Sequence, residues 1–252
     1  AGAGNAGIDI ADIACTSTGV CMAVGQNGVV WRSQNSGASW TSVGSPTDTV
    51  LTSVGCANDG QHCVAGDFGG ALVFTTDGGI NWHYGDVPDE AEGKIFTAIA
   101  FPTSNRAIAI THEGAIYRSD TQGGNPVGTI WSRLGSGAGE LKSVRFLNSS
   151  YGFGVTSSAV RRTQNGGGSW ATVKSSVPIM NAVDALGSAV MAVGNDGTIL
   201  RSGAYGVSSS WEIIDINTHE DLVGVALLSE AEAIVLGDRG RAYYITSRTQ
   251  FA

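Results

Sequence analysis

The chain has 252 residues, 42% hydrophobic and only 14% charged, so it carries enough apolar side chain for a sizeable core and is no disordered polymer. Its 37 glycines against 5 prolines, with no G-X-Y period, mean many turns rather than collagen. A formal net charge of -8 argues against nucleic acid, and no apolar run of about eighteen residues offers a membrane span.

In chain order, the opening AGAGNAG lacks the basic and apolar regions of a signal peptide, so a targeting segment either was removed or never existed. A first repeat, over about 8–48, reads as strand ADIAC (11–15), strand CMAVG with a tight Asn27-Gly28 turn, strand GVVWRS, the turn SQNSGASW (33–40) and a last strand near Trp40. The second, over 49–94, repeats this with TSVGC (52–56), GALVFT and TTDGGINW (75–82). The third, over 95–139, has TAIAF (97–101), AIAITHEG, GAIYRS and a turn lengthened to SDTQGGNPVGTIW. The fourth, over 140–178, has KSVRF (142–146), AVRRT and TQNGGGSW (163–170). The fifth, over 179–220, has NAVDA (181–185), VMAVGNDG with its Asp196-Gly197 turn, GTILRS and SGAYGVSSSW, which has lost the acidic position. The sixth, over 221–252, has VGVAL (223–227), AIVLGDRG and GRAYYITS, then neither turn motif nor Trp, and is one strand short.

Trp40, Trp82, Trp131, Trp170 and Trp211 stand 42, 49, 39 and 41 residues apart, the period of propeller blades when each repeat holds four strands. No stretch keeps a 3.6-residue period, so almost no helix is expected. The expected fold is all-β: a single domain over 1–252 forming a six-bladed β-propeller of four-stranded antiparallel blades. Residues 1–7 are expected to supply the missing outer strand of the sixth blade. In the turns, the side chains of Asn35, Asp77 and Asn165 are expected to accept backbone N–H groups two residues on. Gly37, Gly79 and Gly167 supply positive φ, and Trp40, Trp82 and Trp170 wedge between sheets. The motif reads as a turn lock.

The pattern Ser/Thr-x-Asp/Asn-x-Gly-x-x-Trp in SQNSGASW, TTDGGINW and TQNGGGSW resembles the Asp box, or bacterial neuraminidase repeat. With the preceding G-x-x-x-R-S strand, the chain most resembles the photosystem II stability and assembly factor family, repeat by repeat over nearly its whole length. The resemblance implies a protein-recognising propeller, seven-bladed in that family, that uses a basic patch. Arg32, Arg118, Arg162 and Arg201 match the strand-three position of such a patch, interrupted at Phe74 and at Tyr244 or Ile245. From the residues alone, these four either form a positive face suited to carboxylates and phosphates or pack along their own blades beside local acids.

Cys15 and Cys21, and again Cys56 and Cys63, lie across one hairpin each, which predicts two disulfides and an oxidising compartment, secreted, periplasmic or lumenal. The other reading is four reduced core thiols, since Phe101, Phe146 and Leu227 stand at the matching position elsewhere. The sequon Asn148-Ser149-Ser150 is compatible with secretion. Asp86, Asp89, Glu90 and Glu92 do not follow a calcium-loop spacing and read as a solvated connection, as do His219, Glu220 and Asp221. Arg145 and Asp184, on inner strands, form either a ligand contact or an ion pair between blades 4 and 5.

His62, His83, His112 and His219 share no metal spacing, and no G-x-S-x-G elbow or sialidase arginine set is present. No catalytic residue, metal or cofactor is therefore expected. The expected role is a non-catalytic binding or assembly module for a protein partner. Two alternatives remain: a lectin stacking sugars on Trp31 and Tyr84, and a glycoside hydrolase or lyase of sialidase-like architecture. Trp31 has a second reading as core, because Val73, Tyr117 and Leu200 share its position.

Overall fold

A computed structural model describes residues 9–136 and 139–246, which fall into two units, 1–136 and 137–252. Each unit is a series of antiparallel meanders, with neighbouring strands paired in sequence order.

In the first unit, sheet 1 is β1 (Ile10–Cys15), β2 (Cys21–Gly25), β3 (Val30–Ser33) and β4 (Thr41–Val43). Sheet 2 is β5 (Leu51–Cys56), β6 (Cys63–Asp67), β7 (Leu72–Thr75) and β8 (His83–Tyr84). Sheet 3 is β9 (Phe96–Thr103), β10 (Arg106–Thr111), β11 (Ala115–Asp120) and β12 (Ser132–Ser136). In the second unit, sheet 4 is β13 (Ser143–Phe146), β14 (Gly152–Val155), β15 (Ala159–Thr163) and β16 (Ala171–Ser175). Sheet 5 is β17 (Met180–Leu186), β18 (Ala189–Gly194), β19 (Ile199–Ser202) and β20 (Trp211–Ile213). Sheet 6 has three strands among the described residues, β21 (Leu222–Ser229), β22 (Glu232–Gly237) and β23 (Ala242–Thr246). The closing strand expected from residues 1–7 lies outside the described residues.

The only helical turns among the described residues are two three-residue 3-10 segments, at Gln26–Gly28 and Asp89–Ala91. The first is the tight turn read from Asn27-Gly28: both residues have positive φ, 57° and 63°, as do Asp196 and Gly197 at 54° and 65°. That geometry lets two residues reverse the chain while following the right-handed strand twist.

In sheets 1 to 5 the second strands are buried on both faces, whereas third and fourth strands become progressively wetter, so the core runs between sheets rather than through one centre; in sheet 6 the second strand exposes Ile234 and Leu236. Sheets 1 and 2 share a cluster of Met22, Val24, Val30, Leu51, Val54 and Trp82. Sheets 2 and 3 share Val64, Phe74, Phe96, Ile99, Tyr117 and Trp131. In the second unit, sheets 4 and 5 are joined by Phe153, Val155, Val160, Met180 and Leu200, with Trp211 against them. Met191, Val193, Ile199, Leu222, Val235 and Ile245 join sheets 5 and 6. Trp82, Trp131 and Trp211 thus each fill the gap between their own sheet and the preceding one. Burying such a plate contributes several kcal/mol, on the order of 3–5 by truncation. Trp82 is 6% exposed, while Trp40 and Trp170 are half-buried, Trp170 standing edge-on to Phe146 with ring centroids 6.1 Å apart.

Cys15 faces Cys21 across β1 and β2, and Cys56 faces Cys63 across β5 and β6. Both pairs are disulfides. Direct cross-strand partners bring their Cβ atoms to about 5 Å, within reach of a small closure, which is why the hairpin reading of the cysteines holds. The two bonds are the mark of an oxidising compartment.

Candidate functional site

The repeated turn is organised by a buried hydroxyl. Ser33, Thr75, Thr163 and Ser202 each accept the N–H groups two and four residues on; the longer bonds, from Gly37, Gly79, Gly167 and Gly206, measure 2.9, 3.0, 2.9 and 3.0 Å. In the lengthened third turn Ser119 accepts Gly128 N–H at 2.8 Å. The amide or carboxyl two residues past the hydroxyl reaches further than expected: Asn35 accepts Ser39 N–H and Asn165 accepts Ser169 N–H, four residues on. Asp77 accepts the N–H groups of Ile80 and Asn81. The two-residue bond runs the other way, from the Asx N–H to the hydroxyl, because the positive-φ glycine folds the chain back over that oxygen. The residue four places on complements the group it meets, as acceptor beside an amide and as donor beside a carboxylate. An Asn amide donates to Ser39 or Ser169, and Asn81 donates to the Asp77 carboxylate.

Burial opposes ionisation of Asp77, but the backbone and side-chain bonds from Asn81, with Thr75 and Ile80, outweigh it and hold the carboxyl at about 2. Ala204 stands where the fifth turn has lost its acid, and Ser210 closes the turn instead by hydrogen bonding Ser202. The Trp170 indole N–H donates to Gly167 O at 3.2 Å, and the Trp40 ring lies beside Gly37.

The strand-three arginines occupy one register. Met22↔Arg32, Ile108↔Arg118, Phe153↔Arg162 and Met191↔Arg201 are equivalent pairs, and Val64↔Phe74 and Ile234↔Tyr244 fill the remaining places, which assigns Tyr244 rather than Ile245. Arg32 donates to Gly78 O and Arg162 to Tyr205 O, the same carbonyl of the turn in the following sheet. Arg201 donates to Glu230 O at 2.8 Å and pairs with Glu212 at 3.2 Å; Arg118 pairs with Asp120 at 2.8 Å. All four are half-buried, and Arg32 and Arg162 have no carboxylate partner among the described residues.

Inner strands carry a second set of ties. Asp12 accepts Val54 N–H at 2.9 Å, Ser143 accepts Val183 N–H at 3.2 Å, and Asp184 accepts Leu227 N–H at 2.8 Å. Burial pushes the Asp12 carboxyl up, against the N–H groups of Val54 and Ile13. Arg145 and Asp184 form the ion pair between sheets 4 and 5, at 3.1 Å.

Among the acidic stretches, Asp86, Asp89, Glu90 and Glu92 are exposed, with Glu90 3.7 Å from Arg133. Glu220 departs from the solvated reading: it is 4% exposed and accepts Tyr243 O–H and Arg239 N–H, both at 2.7 Å. The Tyr243 bond chiefly holds its carboxyl below the usual range. His219 and Asp196 pair in full solvent at 2.7 Å, and no group of three or more metal-ligating side chains occurs among the described residues. Of the residues considered for sugar stacking, Tyr84 is 54% exposed with its hydroxyl on Pro46 O, and Trp31 is half-buried.

No protein-family model matches the chain, and no curated protein matches it in sequence. Solved structures do match in shape. YCF48 bound to a D1 peptide aligns over 97% of this chain and 80% of its own, with 16% identity and a TM-score of 0.66. YCF48 from Cyanidioschyzon merolae covers 94% and 82%, with 15% identity and a TM-score of 0.72. A GH74 enzyme from Niastella koreensis has 16% identity and a TM-score of 0.72, but the chain spans only 36% of it. The chain is a six-bladed β-propeller. Its sheets are the blades, and at these identities the likeness settles architecture alone.

Sequence reasoning paired the cysteines but missed the inner-strand carboxylate ties and the buried Glu220. Asp12 signalled itself as an acid inside an apolar strand; Glu220 gave no signal, because its partner Tyr243 is 23 residues away.

Proposed function

We propose that this chain is a non-catalytic protein-recognition module of the Asp-box type, acting in assembly of its partner within an oxidising compartment such as the periplasm, a lumen or the exterior. The observation that carries the reading is the likeness over 97% of the chain to a YCF48 propeller that binds a D1 peptide. The disulfides support the compartment, and rigid blades with variable turns suit recognition. Arg32 and Arg162, whose guanidinium groups lack carboxylate partners among the described residues, are the members of the four-arginine set best suited to meet a partner carboxylate. Arg118 and Arg201 support them from acid-paired positions.

The GH74 likeness favours a second reading, glycan recognition or cleavage, more weakly, since it covers 36% of that enzyme. A glycan array probed with the intact protein, and with all four arginines changed to Ala, separates the two. A blank array is expected. A specific glycan bound equally by both proteins would overturn the protein-recognition reading, and a hit lost with the arginines would replace it with acidic-sugar binding.

A further inference from the structure

The end of the second unit that carries the first-to-second and third-to-fourth strand turns is unusually apolar. Tyr151 is 39% exposed, Leu186 40%, Tyr205 54%, Val207 38% and Leu228 53%. In the first unit the strand-one exits that match Leu186 and Leu228 hold Thr16, Ala57 and Pro102, all buried. There the large apolar side chains exposed in the described repeated turns are Ile80, at 57%, and Ile130, at 37%.

The five side chains of the second unit lie on one continuous run of turns. Arg162 of blade 4 holds Tyr205 O, Tyr205 N–H donates to Ser188 O, and Ser188 is bound by Glu230 of blade 6. Tyr151 flanks Ser150, whose carbonyl accepts Gly166 N–H in the turn of blade 4. Tyr205 is also held at φ 54°, a left-handed conformation that disfavours a bulky residue and that Gly78 and Gly166 occupy elsewhere. An exposed aromatic kept at a strained position calls for a use beyond folding.

Charge narrows what fits there. Among the described residues at this end of the blades, Arg201 pairs with Glu212 and donates to Glu230 O, Arg145 pairs with Asp184, and Glu230 holds Ser188, which leaves Arg162 as the charge available to a ligand. Arg162 reaches the Tyr205 turn with its Nε buried and unbonded and, among the described residues, only Tyr205 O as acceptor. Building on the protein-recognition reading, we infer that the turn face of blades 4 to 6 binds an extended protein segment that presents apolar side chains to Leu186, Tyr205 and Leu228 and a carboxylate to Arg162. A guanidinium fork in an apolar rim suits a carboxylate, and rigid aromatic anchors of this kind carry most of the binding in such interfaces.

The test pans a display library of random dodecapeptides against the intact protein. Enriched peptides are then measured by fluorescence anisotropy on wild type, Arg162→Gln, Leu186→Ser with Leu228→Ser, and Ile80→Ser. The expected result is enriched peptides pairing Asp, Glu or a free C-terminus with aromatic or aliphatic residues. Their affinity should fall about tenfold or more in the first two variants and stay unchanged in Ile80→Ser. The double leucine variant alters exposed side chains only, so it reports on binding even where the arginine change loosens blades 4 and 5. Enriched peptides bound equally by all variants would overturn this face and leave protein recognition standing. Basic peptides, or none enriched, would overturn the inference outright.

Discussion

Changing Asp77 to Asn should remove a pH dependence without removing the turn. Asn35 and Asn165 hold the same place in blades 1 and 4, so the substitution installs a side chain these turns already accept. What it loses is the carboxylate that draws hydrogen bonds from Thr75, Ile80 and both donors of Asn81, and that ionises at about 2 rather than 3.8. A carboxyl whose folded value is depressed stabilises the protein above its unfolded value, and that stabilisation is lost as pH falls towards the folded value. Lowering the ionisation from 3.8 to about 2 is worth at most about 2.5 kcal/mol at about 1.4 kcal/mol per pH unit, and solvent around this partly exposed side chain screens it to about 1 kcal/mol. Wild type should therefore exceed Asp77→Asn by about 1 kcal/mol at neutral pH, and the gap should close between 3.8 and about 2. Urea denaturation followed by tryptophan fluorescence at several pH values measures it. Since other carboxylates titrate identically in both proteins, only the difference matters. A gap constant down to the folded value would refute the carboxylate account of the turn.

Gly79→Ala should be far worse, because φ is 86° and the new methyl would run into the Met22 side chain; a loss of about 3 kcal/mol is expected by denaturant titration. Trp82→Ala should cost about 3–5 kcal/mol, and Trp40→Ala, at a half-buried position, about half of that in the same assay. Reducing the disulfides, which close loops with separations of 6 and 7, should remove about 2 kcal/mol each and lower Tm in calorimetry with reductant. Tyr205→Gly should raise stability by about 0.5 kcal/mol, since relief of the left-handed strain slightly exceeds the added chain entropy, while peptide binding falls.

What could be read in the sequence follows from the range of the interaction concerned. Strand pairing in hairpins is local, so the alternation around Asn27-Gly28 and the facing cysteines placed β1 to β3 and both disulfides with little else required. The turn glycines were equally legible, since positive φ leaves few other residues. Partners separated by a whole blade were not. Arg32 and Gly78 are 46 residues apart, and Arg162 and Tyr205 are 43 apart, so the arginine repeat was visible while its acceptor, a bare carbonyl with no side-chain signature, was not. The hydroxyl at the hub of each turn was under-read for a related reason: Ser and Thr are common in loops, and only burial distinguishes Ser33 or Thr75 from the rest.

Most of the side-chain ties between blades share a direction, although Glu230 on Ser188 and Asp221 on Asp196 run the other way. Arg32, Asp12 and Thr52 in the first unit, and Ser143, Arg162, Asp184 and Arg201 in the second, belong to the earlier blade of each pair and engage the backbone of the later one. A backbone amide or carbonyl is offered by any residue, so the incoming repeat needs the right trace but no particular side chain to be accepted. A gene that copies one repeat in tandem therefore hands each copy a ready-made socket. The same grammar, spoken by side chains to main chain, leaves the turns of every blade free to diverge towards whatever they come to grip.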